Sequence, residues 1–384
     1  MNEKQNRVDF LDGVRGIAIL GVFLFHLVLP VCGVNKLEWG TWFSKFEAPI
    51  SFWLLSPLSL GWCGVPIFFV VSGFCIHLSY RRKPDWFDFA CRRFFRLYPA
   101  YLVALLICAF LVPWTRIEFS WAGAAQIASH LAMIQNLDNR TYYEINVVFW
   151  SIAVEVQLYL IYPLLLGLVS KIGWRRALIC LAALEIILRS IGSAFLIGKG
   201  EIPHWFTGLP FGYWFSWSIG AVMADAYVDS RPIPFANQSA LLWCAAALGC
   251  YIFKPLQSFT FMLFAMTTAA VIAKLLSGRP FPVRLPAFLY RHLHLAGVRS
   301  YSIYLLHAPL MYGACAPVLS LKIAAKLHLY DTLPHPLIIL CAELALWPLV
   351  VFISGLSYNY IELPGIAIGK RFVQSAARNK VVAT

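Results

Sequence analysis

Few ionisable side chains stand inside the long apolar runs of this chain, and their types and spacing are the first clue to its chemistry. They are His26, Glu155, Glu185, Arg189, Asp225, His307 and Glu343. A charge at membrane depth is costly, so each of these needs a partner or a function. His26 follows Arg15 at a spacing of about three helical turns, which puts both on nearly one face, roughly 16 Å apart along the axis. Asp12 falls on the same side, one turn before Arg15. His26 and Glu155 each lie roughly 12 Å in from the outer ends of their runs. They can share a layer if their helices are neighbours. A neutral His backed by a carboxylate is an arrangement that supports general-base chemistry. The same pair could equally be a hydrogen bond that joins two helices. Glu185 and Arg189 are spaced to neutralise each other on one helix. Asp225 lies near the end of its run and reaches water, and Glu343 has no evident partner.

A second group is cationic. Arg81, Arg82 and Lys83 end one apolar run, and Arg92, Arg93 and Arg96 precede the next. On a helix Arg93 and Arg96 form one two-pronged face, which suits phosphates through paired donors. Anchoring to lipid head groups explains the same charge pattern.

The elements that must position these residues follow from composition. Of 384 residues, 60% are hydrophobic and 13% charged, and mean hydropathy is +0.71. A soluble domain carries roughly 25% charged residues. The fold class is therefore all-α integral membrane, in a single domain over 1–384 with a core at 11–364 and a short tail at 365–384. Apolar runs predict ten spans, near 14–34, 57–80, 97–113, 147–170, 174–196, 209–228, 237–253, 257–276, 300–320 and 337–360. Of the 31 Lys and Arg, 22 fall in one set of loops and 8 in the other. This bias puts both termini in the cytoplasm. It also accounts for the net charge of +13 without nucleic acid as a partner. No secretory signal is evident. The 10 Cys include no CxxC and no cluster with His at metal-ligand spacing, so no metal is expected. Cys32 and Cys63 could face one side and pair. No repeat is visible, which weakens a transporter reading.

Six motifs in order then carry a resemblance. They are Leu11-Asp12-Gly13-Val14-Arg15-Gly16-Ile17-Ala18 with His26; Phe68-Phe69-Val70-Val71-Ser72-Gly73-Phe74; and Arg93-Phe94-Phe95-Arg96-Leu97-Tyr98-Pro99. They continue with Trp150-Ser151-Ile152-Ala153-Val154-Glu155-Val156-Gln157-Leu158-Tyr159, Tyr301-Ser302-Ile303-Tyr304-Leu305-Leu306-His307 and Tyr360-Ile361-Glu362-Leu363-Pro364. The set resembles the membrane acyltransferase 3 family. Val156 departs from it, because the family commonly has a second acidic residue there. The short stretch after Pro364 resembles a stand-alone member, without the C-terminal extracytoplasmic domain that some members carry.

The resemblance implies an O-acyltransferase of a bacterial inner membrane. The co-substrate would be acyl-CoA, usually acetyl-CoA, at the cytoplasmic side. The acceptor would be a hydroxyl, often of a glycan, at the other face. It carries over Arg15, His26, Arg93 and Arg96 as essential residues, with Glu155 and His307 as additions. His26, Glu155 and Arg15 would be catalytic. Arg93, Arg96, Arg15 and Ser72 would hold the cofactor, and His307 and Trp150 the acceptor. Arginines at the rim would grip the CoA phosphates while its long arm threads toward His26. His26 would deprotonate the acceptor hydroxyl, or take the acyl group itself. Most Trp fall in external loops or outer halves of spans, Trp150 among them, which suits sugar stacking as well as interfacial anchoring. The competing class is a multi-pass transporter or flippase for a glycan or acyl-linked intermediate.

Overall fold

The computed structural model describes residues 3–32, 56–112, 115–279, 286–313 and 335–382. No strand occurs among them. The chain forms α1 (Glu3–Cys32), a 3-10 segment (Ser56–Cys63), α2 (Gly64–Arg82), α3 (Trp86–Phe110), α4 (Trp121–Leu131) and α5 (Phe149–Lys199). Next come α6 (Trp214–Val228), α7 (Ala240–Ile252), α8 (Thr260–Leu276), α9 (Ala287–Val298) and α10 (Ser300–Gly313). α11 (His335–Ser357) runs through a π-helical segment (Tyr358–Glu362) into α12 (Leu363–Val382).

Five described stretches are long and apolar enough to cross a membrane: Pro57–Arg82, Trp86–Phe110, Phe149–Lys199, Lys254–Leu276 and Leu344–Ala376. α5 has 51 residues, far more than one crossing needs. It is broken at Gly173, whose φ of 76° is open to glycine and strained for other residues. The break falls between the two spans expected at 147–170 and 174–196. Leu160, Leu164, Ile179 and Ile187 stand exposed along α5, an apolar outer surface that calls for lipid as solvent. α3 begins well before the expected 97, because the Asp85 side chain accepts from Asp88 N (3.0 Å) and caps the helix there. The basic motif is thus inside the helix and not in a loop before it. Part of the expected span 300–320, the side chains of Cys32 and Glu343, and Trp39, Trp42, Trp53 and Trp114 lie outside what the structure describes.

The chain divides into two compact units. Unit 1 comprises Met1–Leu78, Ala132–Tyr143 and Phe149–Val298; unit 2 comprises Ser79–Leu131, Glu144–Val148 and Arg299–Thr384. In unit 1, α2 and α6 cross at backbone contact. A Cβ on Gly73 would stand 2.0 Å from the Trp217 carbonyl oxygen, and one on Gly220 2.0 Å from that of Val70. Small residues permit such crossings in membrane helices. The crossing brings Trp217, which is fully buried, against the residue next to Gly73, namely Ser72. In unit 2, α12 packs along α3, with Phe372 beside Phe87 and Phe95 at centroid distances of 6.1 and 5.9 Å. Residues 365–382, expected as a tail, are thus part of this helix.

Candidate functional site

α1, α2, α5 and α6 of unit 1 build a polar cluster. Ser72 Oγ donates to Glu155 Oε1 (2.6 Å). Tyr159, one turn after Glu155 on α5, donates its hydroxyl to the same oxygen. The indole N–H of Trp217 reaches Ser72 Oγ at 3.3 Å. Arg15 donates to Asp12 Oδ1 (2.9 Å) and to Cys75 Sγ (3.1 Å). Cys75 is one turn beyond Ser72 on α2, about 4.5 Å along its axis. Arg15 also lies within electrostatic reach of Glu155.

The structure thus brings Arg15, Ser72 and Glu155 together but does not join His26 to Glu155. α2 starts beside Ala18 and Val22, where a Cβ on Gly64 would stand 2.3 Å from the Ala18 carbonyl oxygen. It then runs back along α1 toward Arg15. Ser72 and Glu155 therefore lie at the Arg15 end of the shared α1 face. His26 is buried, and its Nδ1 donates to the Val22 carbonyl oxygen (2.9 Å). Its own helix, not Glu155, takes the Nδ1 proton.

Two other ionisable groups are structural anchors. Glu185 accepts from Arg189 (3.1 Å), from Ser216 N (3.1 Å) and from Ser216 Oγ (2.8 Å), and the Arg189 guanidinium sits over the Tyr213 and Phe261 rings. This matches the expected neutralising pair. Asp225 was expected to reach water but is buried. It holds His77 Nε2 (3.1 Å), the Trp174 indole N–H (2.8 Å) and Arg231 (2.5 Å), which folds back from the turn after α6. His77 in turn bonds the Tyr162 hydroxyl (2.8 Å). Residue type alone does not single out His77, Tyr159 or Tyr162. The i, i+4 spacing of Glu155 and Tyr159 was the one available signal.

Arg93, Arg96 and His307 belong to unit 2. Arg92 pairs with Asp88 (2.6 Å), which also meets Lys83 (3.3 Å). Arg93 lies 5.8 Å over the Phe89 ring. Arg96 makes no ion pair among the described residues. His307 is fully buried, with Nδ1 at 2.9 Å from the Tyr304 carbonyl oxygen and 3.1 Å from that of Ile303. The last two motifs meet directly, since Ser302 Oγ donates to the buried Glu362 (2.9 Å). Tyr301 donates to the Leu97 carbonyl oxygen (2.8 Å), tying in the basic motif. Trp150, in unit 1, stacks on Tyr142. No group of three or more His, Cys, Asp or Glu that could hold a metal occurs among the described residues.

A family model described as an acyltransferase domain matches residues 8–360, and the chain belongs to that family, acyltransferase 3. It is a multi-pass membrane protein of the acyltransferase class. It is 31% identical over 185 residues to the acyltransferase MdmB of Streptomyces mycarofaciens, covering 46% of this chain and 44% of that protein. It is 31% identical over 173 residues to the O-acetyltransferase OatA of Staphylococcus aureus, covering 41% and 24%. It is 28% identical over 187 residues to the regulator of hypoxia-inducible factor 1 of Caenorhabditis elegans, covering 44% and 36%. The matches thus span less than half of each relative. No solved structure matches.

Proposed function

We propose that this protein moves an acetyl group from cytoplasmic acetyl-CoA to a hydroxyl of a glycan or glycolipid-type acceptor at a bacterial inner membrane, through ten spans with both termini cytoplasmic. The observation that carries the reading is the part-buried cluster of Arg15, Ser72, Glu155 and Tyr159 beside the α1 face that leads to His26. Arg15 supplies positive charge at the end where a thioester arm enters. Glu155 balances that charge and holds Ser72 and Tyr159 in place. His26, with its Nδ1 proton committed to Val22, offers Nε2 as general base to the acceptor hydroxyl. The carbonyl carbon then bonds to the acceptor oxygen, the carbon–sulfur bond breaks, and the proton passes to the CoA thiolate. Arg93 and Arg96 grip the CoA phosphates, and His307 and Trp150 belong to acceptor binding. Similarity to the acyltransferase MdmB and the O-acetyltransferase OatA supports acyl transfer and, through OatA, the acetyl group.

The test uses purified protein, acetyl-CoA labelled in the acetyl group and a cell-envelope extract. Label should enter an alkali-labile ester with matching release of CoA thiol. Movement of an acceptor across proteoliposomes with no consumption of acetyl-CoA would replace this reading with the transporter.

A further inference from the structure

Unit 1 carries a second constellation, at the end of α6 opposite Asp225. Tyr142 stacks on Trp150, with centroids 5.6 Å apart and planes at 18°. Tyr143 meets Tyr142 edge-on at 4.6 Å. His204 lies 5.3 Å from the Tyr142 ring and 4.7 Å from that of Tyr143. Trp205 N donates to Asn139 Oδ1 (2.9 Å), tying one loop to the other. A part-buried amide lattice ties the two loops together. Asn136 and Gln157 exchange two bonds of 3.0 and 2.8 Å; Asn136 also donates to the Gly208 carbonyl oxygen, and Gln157 to that of Met133, both at 2.8 Å. Such a lattice fixes where the aromatic faces stand.

Two of the rings are open. Tyr143 and Trp205 expose 49% and 41% of their surface. Asn139 and Arg140 are exposed beside them, and Arg140 pairs with Asp138 at 2.7 Å. The Arg140 bond holds the Asp138 carboxyl down to about 2, so both charges persist at any ordinary pH. Full charges keep this patch in water, outside the hydrocarbon. Aromatic faces beside an amide, a carboxylate and a guanidinium match one ligand chemistry well. The C–H face of a pyranose packs on the rings and its hydroxyls bond the polar tips.

We propose that Tyr143, His204 and Trp205, flanked by Asn139 and the Asp138–Arg140 pair, form a saccharide-binding subsite for the acceptor. This rests on the acyl-transfer reading and deepens it. The patch connects to the reacting groups through α5 and an aromatic column. Trp150 precedes Glu155 on α5 by roughly 7.5 Å of helix rise. Its ring lies 6.2 Å from Tyr213, which meets Phe69 of α2 at 5.3 Å, one turn before Ser72.

The experiment compares the parent in nanodiscs with the double variant Tyr143→Ala Trp205→Ala. Trp121→Ala serves as control, since Trp121 is also exposed but lies in unit 2. The probes are tetrasaccharides of N-acetylglucosamine, glucose and a uronic acid, titrated by intrinsic fluorescence and calorimetry. At least one should bind the parent and the control, and bind the double variant about tenfold or more weakly, with CoA affinity unchanged in all three. Binding of none, or equal binding to the double variant, overturns the subsite. Weaker partitioning of the double variant into lipid with unchanged saccharide binding makes the patch an interfacial anchor and also overturns it. The acyl-transfer assay separates the two readings. Saccharide binding lost in the double variant, with no acetyl transfer by the parent, keeps the subsite and removes the enzyme. Transfer with an unchanged acceptor KM in the double variant keeps the enzyme and removes the subsite.

Discussion

His26 donates its Nδ1 proton to the Val22 carbonyl oxygen, and the proposed base is Nε2. In His26→Ala that base is gone. Transfer should fall by about 10²–10⁴, with insertion, accumulation and CoA affinity unchanged, as read by label transfer and CoA titration. Glu155→Gln tests a different role. The amide can still accept from Ser72 and Tyr159, but it no longer offsets Arg15. Turnover should fall at least about tenfold while CoA affinity changes by less than about threefold, a loss of transition-state rather than ground-state interaction. Equal losses in both would make Glu155 a structural residue. Arg15, Ser72 and Glu155 were legible as candidates from their types and motifs, but their partners were not. Equal depth placed Glu155 beside His26, whereas the direction of α2 along α1 sets Glu155 at the Arg15 end. Which helices are neighbours, and at what register, is a tertiary fact that residue spacing does not contain. Asp225 was misread for the same reason, since its buried state depends on His77, Trp174 and Arg231 converging from elsewhere in the unit.

At the scale of helices, Gly73 is where α2 and α6 touch. Gly73→Ala inserts a methyl group against a backbone oxygen that cannot rotate away. The cost should be about 1–3 kcal/mol, seen as a lower melting temperature in detergent, and Ser72 should lose its Trp217 bond. A melting curve and turnover both equal to the parent's would contradict this crossing. In α3, replacing Arg93 and Arg96 together by Lys keeps the charge and removes the planar forks. CoA affinity should weaken about tenfold by calorimetry if they hold phosphate, and stay at the parent value if they only anchor the helix. Apolar runs were enough to place most helices, because burial in lipid demands them. The exceptions have local causes. The Asp85 cap starts α3 before its basic segment, which hydropathy alone reads as a loop. Gly173 breaks α5 by a backbone conformation that no hydropathy pattern carries.

For the molecule as a whole, membership of the acyltransferase family and the apolar outer surface of α5 both support the proposed acyl transfer within a membrane. The two units each hold part of the motif set, Arg15, His26, Ser72 and Glu155 in one and Arg93, Arg96 and His307 in the other. The proposed orientation predicts that single cysteines introduced at Asn139 react with an impermeant maleimide from outside, and those at Asp229 do not. The reverse pattern would invert the donor and acceptor sides. The central claim is that an acyl group passes from acyl-CoA to a hydroxyl with His26 as the base. It is tested most directly by proteoliposomes given labelled acetyl-CoA and acceptor extract, with parent and His26→Ala compared at equal protein and equal CoA affinity. The account predicts ester-linked label and stoichiometric CoA thiol from the parent, and less than about one hundredth of that rate from His26→Ala. Transfer by His26→Ala at the parent rate would contradict it.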